Sequence, residues 1–131
     1  MCSVPLRRRD DGAYELRGDK RGGWIALDEP PAERGRQSAG TVHHVAWATV
    51  PDEQPAWREA VLRAGGRPTP VIDRFWFRSV YFREPNGVLF ELATLGPGFA
   101  IDEDPERLGE SLILPPAFEH EPSIPNIEEG D

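Results

Sequence analysis

Glu84-Pro85-Asn86-Gly87 separates two apolar, β-prone runs, residues 75–82 and 88–94, and it constrains this chain more than any other feature. Proline suits the first central position of a type I turn, asparagine the second, and glycine the left-handed residue that follows. The expected unit is a hairpin with a three-residue loop. Such a loop pairs residue 84 with 88 and hence 81 with 91, which sets Tyr81 directly beside Glu91. A two-residue loop would place Phe82 there instead.

The hairpin completes a longer pattern. Residues 41–50 read as a strand, with Val42, Val45, Ala46, Trp47 and Val50 apolar and partly β-branched. Pro51-Asp52 then opens a helix, with Asp52 as the expected N-cap and Pro55 tolerated in the first turn. Trp57, Ala60, Val61 and Ala64 recur at i, i+3, i+4 and i+7 and make one apolar face, leaving Arg58, Glu59 and Arg63 to water. Gly65-Gly66 provides a left-handed exit. With a short strand at 69–72, the order from Thr41 is strand, helix, strand, strand, strand. This predicts an α+β class and a βαβββ module over residues 41–96.

The flanks differ in character. Tyr14-Glu15-Leu16 and Trp24-Ile25-Ala26-Leu27 are two strand candidates around the polar, glycine-rich stretch Arg17 to Gly23, which together predict a hairpin. Residues 1–12 read as poorly held, and Glu29 to Gly40 as a linker rich in Pro, Gly and charge. Beyond Gly96-Pro97-Gly98, residues 97–131 form an acidic, proline-rich tail with one helical turn expected around Glu106 to Leu112. Residues 1–40 form the hairpin and linker region.

Lys+Arg 15 against Asp+Glu 23 gives 15 − 23 = −8, which argues against a nucleic-acid or anionic-membrane partner, since phosphate neutralisation needs a basic surface. The basic run Arg7-Arg8-Arg9 and the acidic end read as solvated surface, or as opposite charges that attract between subunits. Cys2 is the single cysteine, so an internal disulfide and a multi-cysteine zinc site are excluded. Residues 1–12 lack the apolar segment of a leader, and no apolar run is long enough to span a bilayer; a cytoplasmic location is expected.

Strand alternation organises the chemistry. Val42, His44 and Ala46 share one face of the first strand; His43, Val45 and Trp47 share the other, toward the helix. Leu89, Glu91 and Ala93 share a face of the last strand. Glu91 interrupts an otherwise apolar run, where a carboxylate is costly to bury unless paired or metal-bound. It also fits a solvent-facing position or a pair with Arg74 or Arg78, and His44 fits a hydrogen-bonded core histidine. Together His44 and Glu91 make a mixed N/O pair suited to Fe(II), Mn(II), Zn(II) or Ni(II), although a non-haem iron centre wants two histidines and a carboxylate.

Gly40-Thr41-Val42-His43-His44-Val45-Ala46-Trp47, followed by the stretch from Asp73 to Thr94, closely resembles the C-terminal module of hydroquinone-type ring-cleaving dioxygenases. These belong to the glyoxalase, bleomycin-resistance and extradiol dioxygenase group, the vicinal oxygen chelate superfamily. The resemblance covers about residues 14–116. It implies His44 and Glu91 as metal ligands, Fe(II) first among candidates, and Tyr81 as hydrogen-bond donor or proton carrier near substrate and oxygen. It places His43 and Arg74 in the pocket or just behind it, and Tyr81 or His43 would handle a proton; Phe77, an aromatic of the same region, is a further pocket candidate. It implies too that residues 14–27 are the last strands of a preceding, partial module.

One departure weighs against a simple transfer. The family's remaining iron-binding histidine lies in an earlier module, and here His120 is the only other histidine, in the proline-rich acidic tail. A half-barrel sheet of this kind is expected to pair with another module, through a homodimer or a complementary half-subunit. Three functions follow as expectations. The first is an Fe(II) ring-cleaving dioxygenase taking a small aromatic substrate and O2. The second is a glyoxalase-like lyase or isomerase with a dimer-shared site. The third is a non-catalytic binding module using aromatics such as Trp24, Phe75, Trp76 and Phe77, although ordinary packing explains most of those aromatics.

Overall fold

The computed structural model describes residues 6–17, 22–29, 31–33 and 35–118. Cys2, residues 18–21 of the glycine-rich stretch, His120 and the acidic residues from Glu119 onward lie outside the described residues. The chain separates into two compact units, residues 1–43 and 44–131.

The first unit is a three-stranded antiparallel sheet, β1 (Leu6–Arg8), β2 (Tyr14–Arg17) and β3 (Gly22–Ile25), in that spatial order. The expected hairpin is present, with Tyr14 opposite Ile25 and Glu15 opposite Trp24. Its second strand ends at Ile25, leaving Leu27 exposed. The expectation for residues 1–12 is corrected: Leu6–Arg8 forms a strand paired with β2. The link is a tight turn in which the Arg9 amide donates to the Ala13 carbonyl at 2.8 Å, and Ala13 is buried. Arginines mislead here because an edge strand needs only its backbone to pair, and charged side chains are compatible with an edge.

The second unit has the expected order: β4 (Val45–Thr49), α1 (Gln54–Arg63), β5 (Ile72–Asp73), β6 (Arg78–Arg83) and β7 (Leu89–Thr94). The four strands form one sheet, ordered β4-β7-β6-β5. β4 runs parallel to β7, with Ala46 beside Glu91, so the first and last strands of the module are neighbours. The β6–β7 hairpin has the three-residue loop, with Tyr81 opposite Glu91 and Arg83 opposite Leu89. Gly87 takes φ 93, Glu84 and Val88 close the loop backbone at 3.0 Å, and the Glu84 carboxylate accepts from the Val88 amide.

Several boundaries shift for local reasons. Residues 41–44 precede β4 because Thr41 and Ser38 bond to each other through backbone and hydroxyl, a side-chain alternative to a strand ladder. The run from residue 75 starts as a turn, since the Asp73 carboxylate accepts from the Phe75 amide at 2.8 Å and Phe75 sits at φ 70. The Arg74 amide meets the Phe77 carbonyl, and β6 begins only at Arg78. The helix cap is Glu53, not Asp52, and it makes no side-chain cap bond; the Val50 carbonyl takes the Glu53 and Gln54 amides instead. The exit is as expected, with Gly65 at φ 83. Around Glu106 there is a single 3-10 turn, Pro105–Arg107, capped by Asp104.

Two features of the core escape periodicity. Gln54, 1% exposed, donates through its amide nitrogen to the carbonyls of Arg78 and Leu92, both at 2.9 Å, and so ties α1 to β6 and β7. Arg58, expected in water, is half-buried and donates to the Thr69 carbonyl at 2.8 Å. Thr69 in turn bonds the Tyr81 backbone on both sides, fixing that residue where the site is built. Val80 and Leu92 are the buried apolar residues of this unit among those described. No described helix is long and apolar enough to cross a membrane.

Candidate metal centre

Alternation along β7 sends Leu89, Glu91 and Ala93 to one face and Phe90 and Leu92 to the other. Phe90 joins an aromatic group with Phe82 and Trp47, each 5.8 Å between ring centroids. Glu91 points the opposite way and is 4% exposed. A buried carboxylate needs partners for both oxygens. Ser79 supplies one through a short hydrogen bond from its hydroxyl to Oε1. His44 supplies the other, with Nε2 at 2.9 Å from Oε2. The solvent-facing alternative for Glu91 is therefore overturned, and its carboxylate is met by Ser79 and His44.

His44 reaches Glu91 from the residue just before β4, made possible by the parallel β4–β7 pairing. Its ring meets Tyr81 edge-on at 6.0 Å. The Arg74 guanidinium lies over the Tyr81 ring, 5.5 Å from its centroid. Four residues singled out from the sequence, His44, Glu91, Tyr81 and Arg74, thus meet on one side of the sheet.

Phe77 sits elsewhere in emphasis. It is half-buried, its ring 6.3 Å from that of Phe99, in a cluster where Trp76 also packs on Phe99 and Phe75. Trp76 donates its indole N–H to both carboxylate oxygens of Asp102, at 2.9 and 3.1 Å. His43 is exposed and closes the first unit, whereas His44, Ser79, Tyr81, Arg74 and Glu91 all belong to the second. Trp24 is exposed within the first unit. Ser79, which meets Glu91 in the site, is the residue that the sequence patterns leave unmarked. Only its parity signals it: two residues before Tyr81 on the same strand, it shares Tyr81's face, and opposite Ala93 it lies diagonal to Glu91.

A divalent ion imposes a spacing on the donors that share it. Two ligands bound at about 2.0–2.2 Å and set at roughly 90° to each other, as in an octahedral ion, stand roughly 3 Å apart. The 2.9 Å between His44 Nε2 and Glu91 Oε2 suits that arrangement as well as it suits a hydrogen bond. An imidazole nitrogen with a carboxylate oxygen is a donor pair for Fe(II), Mn(II), Zn(II) or Ni(II). Among the described residues, no group of three or more His, Cys, Asp or Glu side chains converges. The pair fits as part of a centre whose remaining ligands come from outside it.

No family profile matches the chain. It is 46% identical over 118 residues to the provisionally named ring-cleaving dioxygenase MhqO of Bacillus subtilis, covering 89% of this chain and 37% of that protein. It is 47% identical over 88 residues to the similarly named MhqA of that species, covering 66% and 28%. The chlorohydroquinone/hydroquinone 1,2-dioxygenase of Sphingobium indicum is 38% identical over 120 residues, covering 83% and 36%. A crystal structure of a provisionally assigned dioxygenase from Bacillus subtilis superposes with a TM-score of 0.74 at 39% identity, over 89% of this chain and 38% of that one. The chain spans about a third of the length of the curated relatives it matches.

Proposed function

We propose that this chain, a relative of the ring-cleaving dioxygenases of the vicinal oxygen chelate superfamily, supplies half of a metal centre for oxidative ring cleavage of a hydroquinone- or catechol-like aromatic in the cytoplasm. The observation that carries the reading is the meeting of His44 Nε2 and Glu91 Oε2 at 2.9 Å beside Tyr81. Those two side chains would hold a divalent metal, Fe(II) first. Bound there, the ion would supply redox and Lewis-acid chemistry. Tyr81 donates a hydrogen bond to the substrate oxygen or carries its proton. Arg74, over the Tyr81 ring, orients the phenol and presents positive charge to an ionised substrate. His43 is assigned to proton handling on the family resemblance, and Phe77 to the pocket wall as an aromatic of that surface.

The missing ligands come from a second copy of the chain or from a complementary half-subunit. The two-ligand set also favours a second reading: two copies together offer two histidines and two carboxylates, the set of a dimer-shared lyase or isomerase site in which Glu91 doubles as base. Oxygen uptake separates the two. After anaerobic loading with Fe(II), the dioxygenase reading expects O2 consumption and ring-opened product from hydroquinone or catechol. The lyase reading expects activity with Ni(II), Co(II) or Zn(II) and no O2 consumption. Silence with metal loaded and assembly complete sinks the first reading.

A further inference from the structure

We propose that Ser79 is a positioning residue that makes Glu91 a one-oxygen ligand, holding Oε1 so that only Oε2 is presented to a metal ion beside His44. The inference rests on the reading of His44 and Glu91 as ligands and deepens it.

A carboxylate offers two oxygens and binds a metal through one or both. In this site the choice is made by the fold. Ser79 is fully buried and lies on β6 between two strands, opposite Ile72 of β5 and Ala93 of β7. Its backbone cannot follow a moving carboxylate, and its short side chain has one rotor. The hydroxyl donates to Glu91 Oε1. Oε2 faces His44 Nε2. No described buried side-chain polar atom lacks a partner, so this arrangement is complete on the protein side. Turning the carboxylate to chelate with both oxygens would strip the bond to Ser79 and leave a buried hydroxyl unmet, which is unfavourable. Single-oxygen binding keeps one more coordination position open for small ligands than chelation does. Partners that orient ligating groups in this way typically carry about 10–100-fold in metal affinity.

The test is Ni(II) titration by calorimetry on the full chain, wild type against His44→Ala, Ser79→Ala and Ser79→Thr, with circular dichroism on each. Visible spectra of the Co(II)-saturated forms are recorded alongside. Ser79→Ala is expected to weaken Ni(II) binding by about 10–100-fold and to change the Co(II) band pattern, since the carboxylate is then free to chelate. Ser79→Thr, which keeps the hydroxyl, is expected to restore both. A merely structural serine would leave the Co(II) bands of the saturated protein unmoved. If Ser79→Ala fails to fold, Ser79→Val is compared with Ser79→Thr, a pair of equal shape that differs only in the hydroxyl; the valine is expected to show the weaker binding and the changed bands. Wild-type affinity and spectrum in Ser79→Ala, with binding lost in His44→Ala, overturns the role of Ser79 alone. No Ni(II) binding by wild type overturns the metal reading and this inference with it.

Discussion

Tyr81 stands directly opposite Glu91 across β6 and β7, and its ring meets the His44 imidazole edge-on. Both Glu91 oxygens are engaged by Ser79 and His44, so the phenol borders the pair without being needed to hold it. Binding and chemistry should therefore separate at this residue. Tyr81→Phe is expected to bind Ni(II) like wild type and to lose about 10²–10⁴ in turnover of an aromatic diol, the usual contribution of a positioned proton carrier. Metal titration beside oxygen-electrode rates checks it. A parallel loss of metal binding would make Tyr81 part of the scaffold.

The buried carboxylate gives a second prediction, concerning stability. Desolvating Glu91 is expensive, and replacing a buried ionic group by apolar atoms of similar volume is often neutral or favourable. Ser79 loses its acceptor in such a variant, so the change is made at both positions. Ser79→Ala with Glu91→Met is expected to match wild type in urea or to exceed it by about 1–3 kcal/mol, and to bind no metal. Such a result marks the carboxylate as held for function. A loss of several kcal/mol would mark it as a structural keystone.

Gln54 is the opposite case. Its side chain satisfies two carbonyls from different strands, those of Arg78 and Leu92. Gln54→Ala leaves both without that donor and opens a void at a fully buried position. A destabilisation of about 2–4 kcal/mol is expected, from unmet polar groups at about 1–3 kcal/mol each. Ni(II) affinity of the folded fraction should stay near wild type. Urea melts with a titration at low temperature check both halves.

Gln54 also shows where reading the sequence stops. Periodic and local signals were legible: the Glu84 to Gly87 loop, the register of Tyr81 against Glu91, the Gly65 exit and the βαβββ order all follow from turn chemistry and alternation over a few residues. The pairing of His44 with Glu91 came from face parity plus resemblance, because the parallel contact of β4 with β7 spans more than forty residues of chain and leaves no local mark. Arg58 reads as water-facing by its polarity and Gln54 carries no local signal at all, yet Arg58 is half-buried and Gln54 fully buried, each bonded to backbone carbonyls that no pattern reveals. The strand of Leu6–Arg8 was hidden by its arginines, and the start of β6 by Asp73, whose carboxylate caps a turn. Ser79 was overlooked for its small size, although its parity with Tyr81 marked it.

Asp102 offers the last test, of a contact reaching the site from beyond the module. Its carboxylate accepts from the Trp76 indole, and the Gly98 amide donates to the Trp76 carbonyl at 2.7 Å. Both hold the turn at 74–77, which carries Arg74 over Tyr81. The contact is exposed, so its direct contribution to stability is small, about 1 kcal/mol or less. Its effect should be felt through Arg74. On the proposed function, Asp102→Ala is expected to raise KM for an aromatic diol several-fold with kcat nearly unchanged, since looser orientation of a cation proposed to face the substrate costs binding first. Arg74→Ala should do the same more strongly. If the carboxylate acts through the arginine, the double variant Arg74→Ala with Asp102→Ala will be no worse than Arg74→Ala alone, a non-additivity that independent sites do not show. Additive losses would mean that Asp102 and Arg74 contribute separately, and that the aromatic cluster serves packing and not the site.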